Sequence, residues 1–137
     1  MTRSLTIAAA LAALAAPAYS DGDAAAGENE FRKCKSCHEI ATADETLVRG
    51  GKTGPNLYGV VGRTAGTVEG FNYGDDLVRA GEAGLVWDEA QLAAYMEDPR
   101  AFLRDYLGDN SARSRMTFRL RKGSEDVAAY LATVGDE

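Results

Sequence analysis

The run Cys34-Lys35-Ser36-Cys37-His38 contains both cysteines and the only histidine of the 137-residue chain. C-x-x-C-H is the spacing at which two thiols attach one haem covalently. On a helical turn Cys34 and Cys37 share a face, so both sulfurs can reach the two vinyl groups of a porphyrin. His38 follows Cys34 by four residues, and its imidazole can reach the iron from the same face. The motif therefore predicts covalent haem attachment.

The same two cysteines have other known uses. A C-x-x-C pair can be a redox-active dithiol or a structural disulfide, although here it does not lie in a strand–helix–strand pattern. A zinc site usually takes four Cys or His ligands, and this chain offers three with no second cluster nearby. Haem attachment is the leading interpretation, and a haem-free dithiol or disulfide protein remains the alternative.

The second axial position on the iron has two methionine candidates beyond the first 20 residues, Met96 and Met116. Met96 falls in the middle of a predicted helix, on an apolar stripe where methionine usually packs. Met116 lies in a loop-like stretch far from the cysteine motif, as a ligand for the opposite haem face should. We favour Met116, with Met96, a lysine or an open site as alternatives. A thioether opposite an imidazole raises the potential and blocks substrate binding at the iron.

Residues 1–20 have the pattern of a secretory signal peptide. Arg3 gives a positive start, the run from Leu5 to Ala16 is too short to span a bilayer, and Ala18-Tyr19-Ser20 is a small-x-small cleavage pattern. We therefore expect cleavage near Asp21 and one soluble mature domain over residues 21–137. The expected location is the periplasm.

The composition of the mature chain excludes one class of partner. Because residues 1–20 hold one Arg and no acidic residue, the mature chain has 14 basic and 21 acidic residues, a net charge of −7. Such a chain does not resemble a nucleic-acid-binding protein. Aromatic residues make up only 8% of the sequence, and a buried haem would supply apolar volume to the core.

The periodicity of the chain predicts an all-α fold with long loops and no strands. Asp23 can cap a first helix that runs into the cysteine motif. Residues 40–74 are rich in glycine and read as a loop. Later helices are predicted at Asp75–Ala80, from Asp88 to about Asp98, at Pro99–Tyr106, and from Gly123-Ser124 to Val134.

Basic residues gather around the predicted haem ligands, although the chain as a whole is acidic. Five lie between residues 110 and 124, where no acidic residue occurs. A charge run is often only a solvated surface, but this one flanks Met116, which favours a docking face for acidic partners. We define the basic patch as Lys33, Lys35, Lys52, Arg113, Arg115, Arg119, Arg121 and Lys122.

Several further motifs accompany the cysteine motif over essentially the whole mature chain. They are Gly27, Phe31, Lys52-Thr53-Gly54-Pro55-Asn56-Leu57-Tyr58-Gly59, Gly62-Arg63, Gly70-Phe71-x-Tyr73, Trp87, Tyr95, Pro99, Met116-Thr117-Phe118 and Ala129-Tyr130-Leu131. Together they resemble the class I c-type cytochromes, most of all the bacterial cytochromes c2 and related carriers of denitrifying bacteria. The resemblance implies the class I cytochrome c fold, with several helices and long loops around one covalently bound haem c.

The resemblance also implies a role for each matching residue. Cys34 and Cys37 would form the thioethers, and His38 would be the proximal ligand, oriented by the carbonyl of Pro55. Met116 would be the distal ligand. The remaining roles are hydrogen bonds to a haem propionate from Arg63, Tyr73 and Trp87, a hydroxyl near the methionine sulfur from Tyr95, and a close crossing of Gly27 and Phe31 with Tyr130. Leu77 departs from the family, which often has Asn there.

The resemblance implies a soluble periplasmic monohaem electron carrier that is a monomer and not an enzyme. It would take electrons from the cytochrome bc1 complex and deliver them to a photosynthetic reaction centre, a terminal oxidase or a reductase. The alternative from another class is a five-coordinate haem peroxidase or gas sensor, which would need an open distal site.

Overall fold

The computed structural model describes residues 22–135, so the predicted signal peptide lies outside the described residues. Five helices and one small hairpin follow one another along the chain. They are α1 (Ala24–Glu30), β1 (Ile40–Ala41), β2 (Thr46–Val48), α2 (Asp75–Glu82), α3 (Glu89–Glu97), α4 (Pro99–Leu107) and α5 (Ser124–Ala132). No helix within residues 22–135 is long and apolar enough to cross a membrane.

Three helices begin at aspartates that cap their first turn, and the sequence predicts two of these caps, Asp23 and Asp88. The side chain of Asp23 accepts from the backbone N–H groups of Ala25 and Ala26, and Asp88 accepts from Gln91. Asp98 accepts from the N–H of Ala101, with Pro99 at the first helical position of α4. These caps place α3 and α4 next to each other with only Asp98 between them.

The first and last helices cross at a glycine. A Cβ atom at Gly27 would run into the backbone carbonyl of Asp126 and would lie 2.9 Å from the Cβ of Tyr130. Next to this crossing the rings of Phe31 and Tyr130 pack with centroids 5.6 Å apart. The predicted close approach of α1 and α5 is confirmed, and it requires a residue without a side chain.

The prediction that the first helix continues through the cysteine motif is wrong. The α-helix ends at Glu30, a 3₁₀ turn covers Phe31–Lys33, and the motif itself forms turns. The N–H groups of Cys37 and His38 both donate to the carbonyl of Cys34, at 3.2 and 2.9 Å. This single helical turn still keeps the two cysteines and the histidine at the spacing that the chemistry needs.

The prediction of no strands is also wrong, although its consequence for the fold is small. β1 and β2 pair in antiparallel fashion, with Ile40 opposite Val48 and an irregular register between Ile40 and Ala41. Strands of two and three residues are too short to show the alternation by which strands are recognised in a sequence. Within the hairpin, Ile40 is fully buried and belongs to the hydrophobic core.

Candidate functional site

Every residue that the sequence analysis assigned to the site lines the same cavity, which has a volume of about 340 Å³. The walls come from the cysteine motif, the loop of residues 53–63, the segment 71–77, α3, and the loop of residues 113–118. Apolar side chains complete the lining, among them Leu77. The nine predicted residues on the wall are Cys34, Cys37, His38, Pro55, Arg63, Tyr73, Trp87, Tyr95 and Met116.

The two cysteines are free thiols in unlike environments. Cys34 is half-buried, and desolvation raises the pKa of its thiol to about 11. Cys37 is exposed, and hydrogen bonds with Thr53 and Ser36 lower the pKa of its thiol. Within residues 22–135, no group of three or more His, Cys, Asp or Glu side chains could hold a metal ion.

The loop of residues 50–55 fixes the orientation of His38. Nδ1 of His38 lies 2.8 Å from the carbonyl oxygen of Pro55, so the ring carries its proton on Nδ1 and leaves a lone pair on Nε2. Burial lowers the pKa of the imidazole, which favours the neutral form that binds a metal. The N–H groups of Gly51 and Gly54 donate to the carbonyls of Lys35 and Cys37, at 2.8 and 2.7 Å.

Gly54 is a site residue whose role sequence reasoning missed. A Cβ atom there would collide with the His38 ring, 2.6 Å from Nδ1 and 2.8 Å from Nε2. The backbone of Gly54 therefore lies against the imidazole with no room for a side chain. The Gly-Pro dipeptide marks a turn, and the resemblance places the carbonyl of Pro55 at His38, but neither shows that the backbone of Gly54 lies against the ring.

Both methionines reach the cavity, but from different settings. Met116 is half-buried in a loop, where the hydroxyl of Ser114 donates to its carbonyl at 2.8 Å. The hydroxyl of buried Tyr95 is bonded to the Ser114 side chain, which connects this loop to α3. Met96 is 7% exposed and packs within the hydrophobic core. The structure thus puts Met116 on a hydrogen-bonded loop and Met96 inside a packed helix.

Arg63 is a half-buried cation whose recorded partners are all neutral. Its Nη1 donates to the carbonyls of Asn56 and Tyr58, at 3.2 and 3.3 Å. Within residues 22–135, no carboxylate lies within ion-pair distance of it. Burial lowers the pKa of the guanidinium, which a nearby anion would offset. The cavity therefore contains an uncompensated positive charge that suits an anionic group of a ligand.

Tyr73 and Trp87 border the same part of the cavity. The hydroxyl of Tyr73 accepts from the N–H of Val68 at 3.0 Å, which leaves its proton available for donation. The backbone N–H of Trp87 donates to the carbonyl of Arg63 at 2.9 Å, so these two residues are neighbours in space. The Trp87 ring packs on Tyr95 and Phe102, with centroids 5.0 and 5.8 Å away.

All eight residues of the basic patch are exposed. Arg113 and Arg115 lie on the wall of the cavity, while Lys33 and Arg119 have acidic partners, Glu30 at 2.8 Å and Asp98 at 3.7 Å. The exposed ring of Phe118, from the Met116-Thr117-Phe118 motif, lines the same cavity. The patch is therefore continuous with the site at Arg113 and Arg115.

The cavity fits a covalently attached haem on several independent grounds. It offers two free thiols, a histidine nitrogen with an available lone pair, a methionine from a distant loop, apolar walls and a half-buried cation. Glycine at position 54 keeps the histidine ring in place. This donor set matches the ligands that c-type cytochromes use for iron.

Comparison with known proteins identifies the family. The chain is 59% identical to cytochrome c-551 of Roseobacter denitrificans over 135 residues, covering 98% of this chain and 96% of that protein. It is 57% identical to cytochrome c2 of Rhodobacter capsulatus over 136 residues, covering 98% of both chains. The chain belongs to the bacterial cytochrome c2 family of class I c-type cytochromes.

Solved structures of cytochromes agree with this assignment. Cytochrome c2 of Rhodobacter capsulatus superposes with a TM-score of 0.80 at 57% identity, over 82% of this chain and 97% of that one. Ferric cytochrome c-550 of Paracoccus versutus gives a TM-score of 0.80 at 50% identity, over 83% and 98%. No protein-family model matches the chain.

This cytochrome therefore has the predicted class I fold and carries one covalent haem c. It is a monohaem electron carrier and not an enzyme. Its function thus requires at least one electron donor and one electron acceptor.

Proposed function

We propose that this cytochrome is a soluble, monomeric carrier of the periplasm that takes electrons from the cytochrome bc1 complex. It delivers them to a photosynthetic reaction centre, a terminal oxidase or a reductase. The signal-like residues 1–20, which would direct export, support the location. The observation that carries the proposal is the one cavity lined by Cys34, Cys37, His38 and Met116.

In this proposal Cys34 and Cys37 form the thioethers to the haem, and Nε2 of His38 is the proximal ligand. The bond from His38 to Pro55, 2.8 Å long, supports this role because it orients the ring and increases the basicity of Nε2. Bound haem supplies reversible one-electron exchange between Fe(III) and Fe(II).

Met116 is the proposed distal ligand. Its loop is connected to α3 by the hydrogen bond between the side chains of Ser114 and Tyr95, and the Ser114 hydroxyl also donates to the Met116 carbonyl. A thioether in this position favours the reduced iron and keeps substrates away from it. Met96 packs in the core, where methionine is usually structural. These two settings support Met116 as the ligand.

Arg63, Tyr73 and Trp87 are the proposed partners of a haem propionate. The half-buried Arg63 has no recorded carboxylate partner within residues 22–135, and the hydroxyl proton of Tyr73 is available. A buried carboxylate needs charge-assisted donors of this kind. Arg63 would in turn gain the counter-charge that its surroundings lack.

The basic patch is the proposed docking face. Arg113 and Arg115 border the cavity, so a partner bound there would lie beside the redox centre. The rest of the chain is acidic, and the resulting charge asymmetry would orient the molecule as it approaches an acidic partner. This docking should weaken as salt is added.

Visible spectra of the haem-loaded protein and two variants test the ligand assignment. Ferric protein should show the weak far-red band that a methionine sulfur gives on iron. Met116→Ala should abolish this band, lower the potential and let ferrous protein bind carbon monoxide. The matched control, Met96→Ala, should keep the band while lowering the free energy of unfolding by about 2–5 kcal/mol.

Loss of the band in Met96→Ala but not in Met116→Ala would transfer the ligand role to Met96. A wild-type protein that lacks the band and binds carbon monoxide readily would have an open distal site, as a gas sensor requires. The partner assignment needs a separate assay, in which purified bc1 complex should reduce the ferric protein at a salt-dependent rate. Failure of that reduction would reject bc1 as the donor.

A further inference from the structure

The loop of residues 113–118, which carries Met116, is hydrogen-bonded at its beginning to the first turn of α2. The backbone N–H of Arg113 donates to Oδ2 of Asp76 at 2.7 Å, although the two residues are 37 positions apart. This bond is the largest cause of the lowered pKa of the Asp76 carboxyl. Arg113 precedes Met116 by three residues, so the bond fixes the backbone one short step before the proposed ligand.

Asp76 is itself held in place by a neighbour on the same helix. Its Oδ1 accepts from Nη1 of Arg79 at 2.6 Å, and the same nitrogen reaches Oδ2 of Asp109 at 3.3 Å. Oδ1 of Asp109 accepts from the N–H and the hydroxyl of Ser111, at 2.9 and 2.6 Å. Two carboxylates and one guanidinium thus connect α2 to the stretch that leads into the Met116 loop.

A second contact ties the loop to the residues just before α2. Nη1 of Arg115 donates to the carbonyl of Asn72 at 3.0 Å, and a Cβ at Gly74 would lie 3.2 Å from the Arg115 side chain. Arg115 is adjacent to Met116 in the sequence. The segment 72–76 therefore contacts the loop at two points, and Tyr95 contacts it at a third point through Ser114.

We propose that Asp76 is a positioning residue for Met116, which keeps the methionine loop closed on the cavity by accepting the Arg113 N–H. The proposal rests on the proposed role of Met116 as the distal ligand. A ligand supplied by a loop competes with any other donor for the iron, and the competition depends on how firmly the loop is held. Loss of the Asp76 bond should make Met116 easier to displace without altering the proximal side.

The affinity of the haem-loaded ferric protein for imidazole, an external nitrogen donor, measures directly how easily Met116 is displaced. Imidazole binding displaces the methionine and removes the far-red band, so the band reports the apparent affinity. Asp76→Ala should bind imidazole about ten-fold more tightly than wild type, because a hydrogen bond to a charged acceptor is lost. Asp76→Asn keeps an oxygen that can accept from Arg113, and its affinity should stay nearer to that of wild type.

Asp75→Ala is the matched control. Asp75 precedes Asp76 in the same helical turn, it is exposed, and its side chain makes no recorded bond within residues 22–135. The substitution removes the same charge from the same helix end, so it reproduces any effect on the helix dipole. It should leave the imidazole affinity unchanged. Unfolding by denaturant, followed by far-UV circular dichroism, gives the global stability of each variant.

Three results would overturn the proposal. Equal imidazole affinities for Asp76→Ala and wild type, even with a lower global stability, would make Asp76 merely structural. If Asp75→Ala increased the imidazole affinity as much as Asp76→Ala, the loss of negative charge alone would explain the increase. If Asp76→Asn increased it as much, the ion pair between Asp76 and Arg79 would explain it. A wild-type protein without the far-red band would instead reject the ligand role of Met116 itself.

Discussion

Nδ1 of His38 lies 2.8 Å from the carbonyl oxygen of Pro55, and the glycine before that proline lies flat against the imidazole ring. One short turn therefore selects the tautomer of the histidine and also limits the tilt of its ring. The two effects depend on different atoms, a carbonyl oxygen and a missing Cβ. They can consequently be separated by substitution.

Replacement of Gly54 by alanine should disturb the histidine without removing its hydrogen-bond acceptor. The new Cβ would lie 2.6 Å from Nδ1 and 2.8 Å from Nε2, so either the ring or the loop must move. Overpacking of this kind costs about 1–3 kcal/mol. We expect a lower yield of haem-loaded protein, a lower free energy of unfolding and a shifted midpoint potential, measured by denaturant titration and redox titration.

Lys52→Arg, two residues earlier and exposed, keeps the charge of the basic patch and controls for a general effect of substitution in this loop. It should match wild type in haem content and midpoint potential. If Gly54→Ala also matched wild type in haem content and midpoint potential, the close contact between Gly54 and the His38 ring would not affect function.

Reversal of one charge at the cavity should change electron transfer with small charged oxidants in opposite directions. Arg113 is exposed and borders the cavity. Arg113→Glu should slow oxidation by the anion ferricyanide and speed oxidation by a cationic cobalt complex, by about two- to ten-fold at low salt. Stopped-flow rates at low salt and at about 1 M salt, where the Debye length is about 3 Å, measure the effect.

Arg49→Glu makes the same change of charge at an exposed residue that does not line the cavity. Its effect on both oxidants should be smaller. Equal effects from the two variants would mean that only the net charge matters, and the docking face would have to be sought elsewhere.

Acid should weaken the contact between α2 and the methionine loop. Hydrogen bonds from the Arg113 N–H and from Ser111 hold the pKa values of Asp76 and Asp109, respectively, below the usual 3.8. Carboxyls with a depressed folded pKa stabilise the protein above the unfolded pKa, and this contribution is lost as the pH falls through the folded pKa. Arg79 faces both groups, and it stays charged throughout this range.

The free energy of unfolding should therefore fall between about pH 5 and pH 2, and it should fall less in a double Asp76→Asn, Asp109→Asn variant. Denaturant titrations at each pH measure the slope of the free energy of unfolding against pH in wild type and in the double variant. The same slope in both proteins would mean that these carboxyls do not contribute to the acid sensitivity of the fold.

Much of the helical framework could be predicted because its signals are local. Asp23, Asp88 and Asp98 each cap a helix within three residues of themselves, and Pro99 begins α4 as its fixed backbone angle allows. Cys34, Cys37, His38 and Met116 were predicted from the residues themselves, and the resemblance to the family added the crossing at Gly27 and the other five cavity residues. The structure brings all nine cavity residues together. Their individual roles toward the haem remain predictions.

The parts that could not be predicted depend on contacts between distant residues or on very short elements. The hairpin of Ile40–Ala41 and Thr46–Val48 is too short to show a strand period. The α-helix ends at Glu30, before the cysteine motif, although nothing in the local sequence forbids it to continue. The bond between Asp76 and Arg113 joins residues 37 positions apart, and neither belongs to a motif.

The crossing of the first and last helices also affects the order in which the chain can fold. The N–H of Asp23 donates to a carboxylate oxygen of Asp126, 103 positions later, and Phe31 is covered by Tyr130. A growing or translocating chain cannot complete this corner until the residues of α5 have arrived. We therefore expect the cysteine motif to stay accessible for haem attachment until α5 docks, so the docking of α5 sets the moment at which the fold closes.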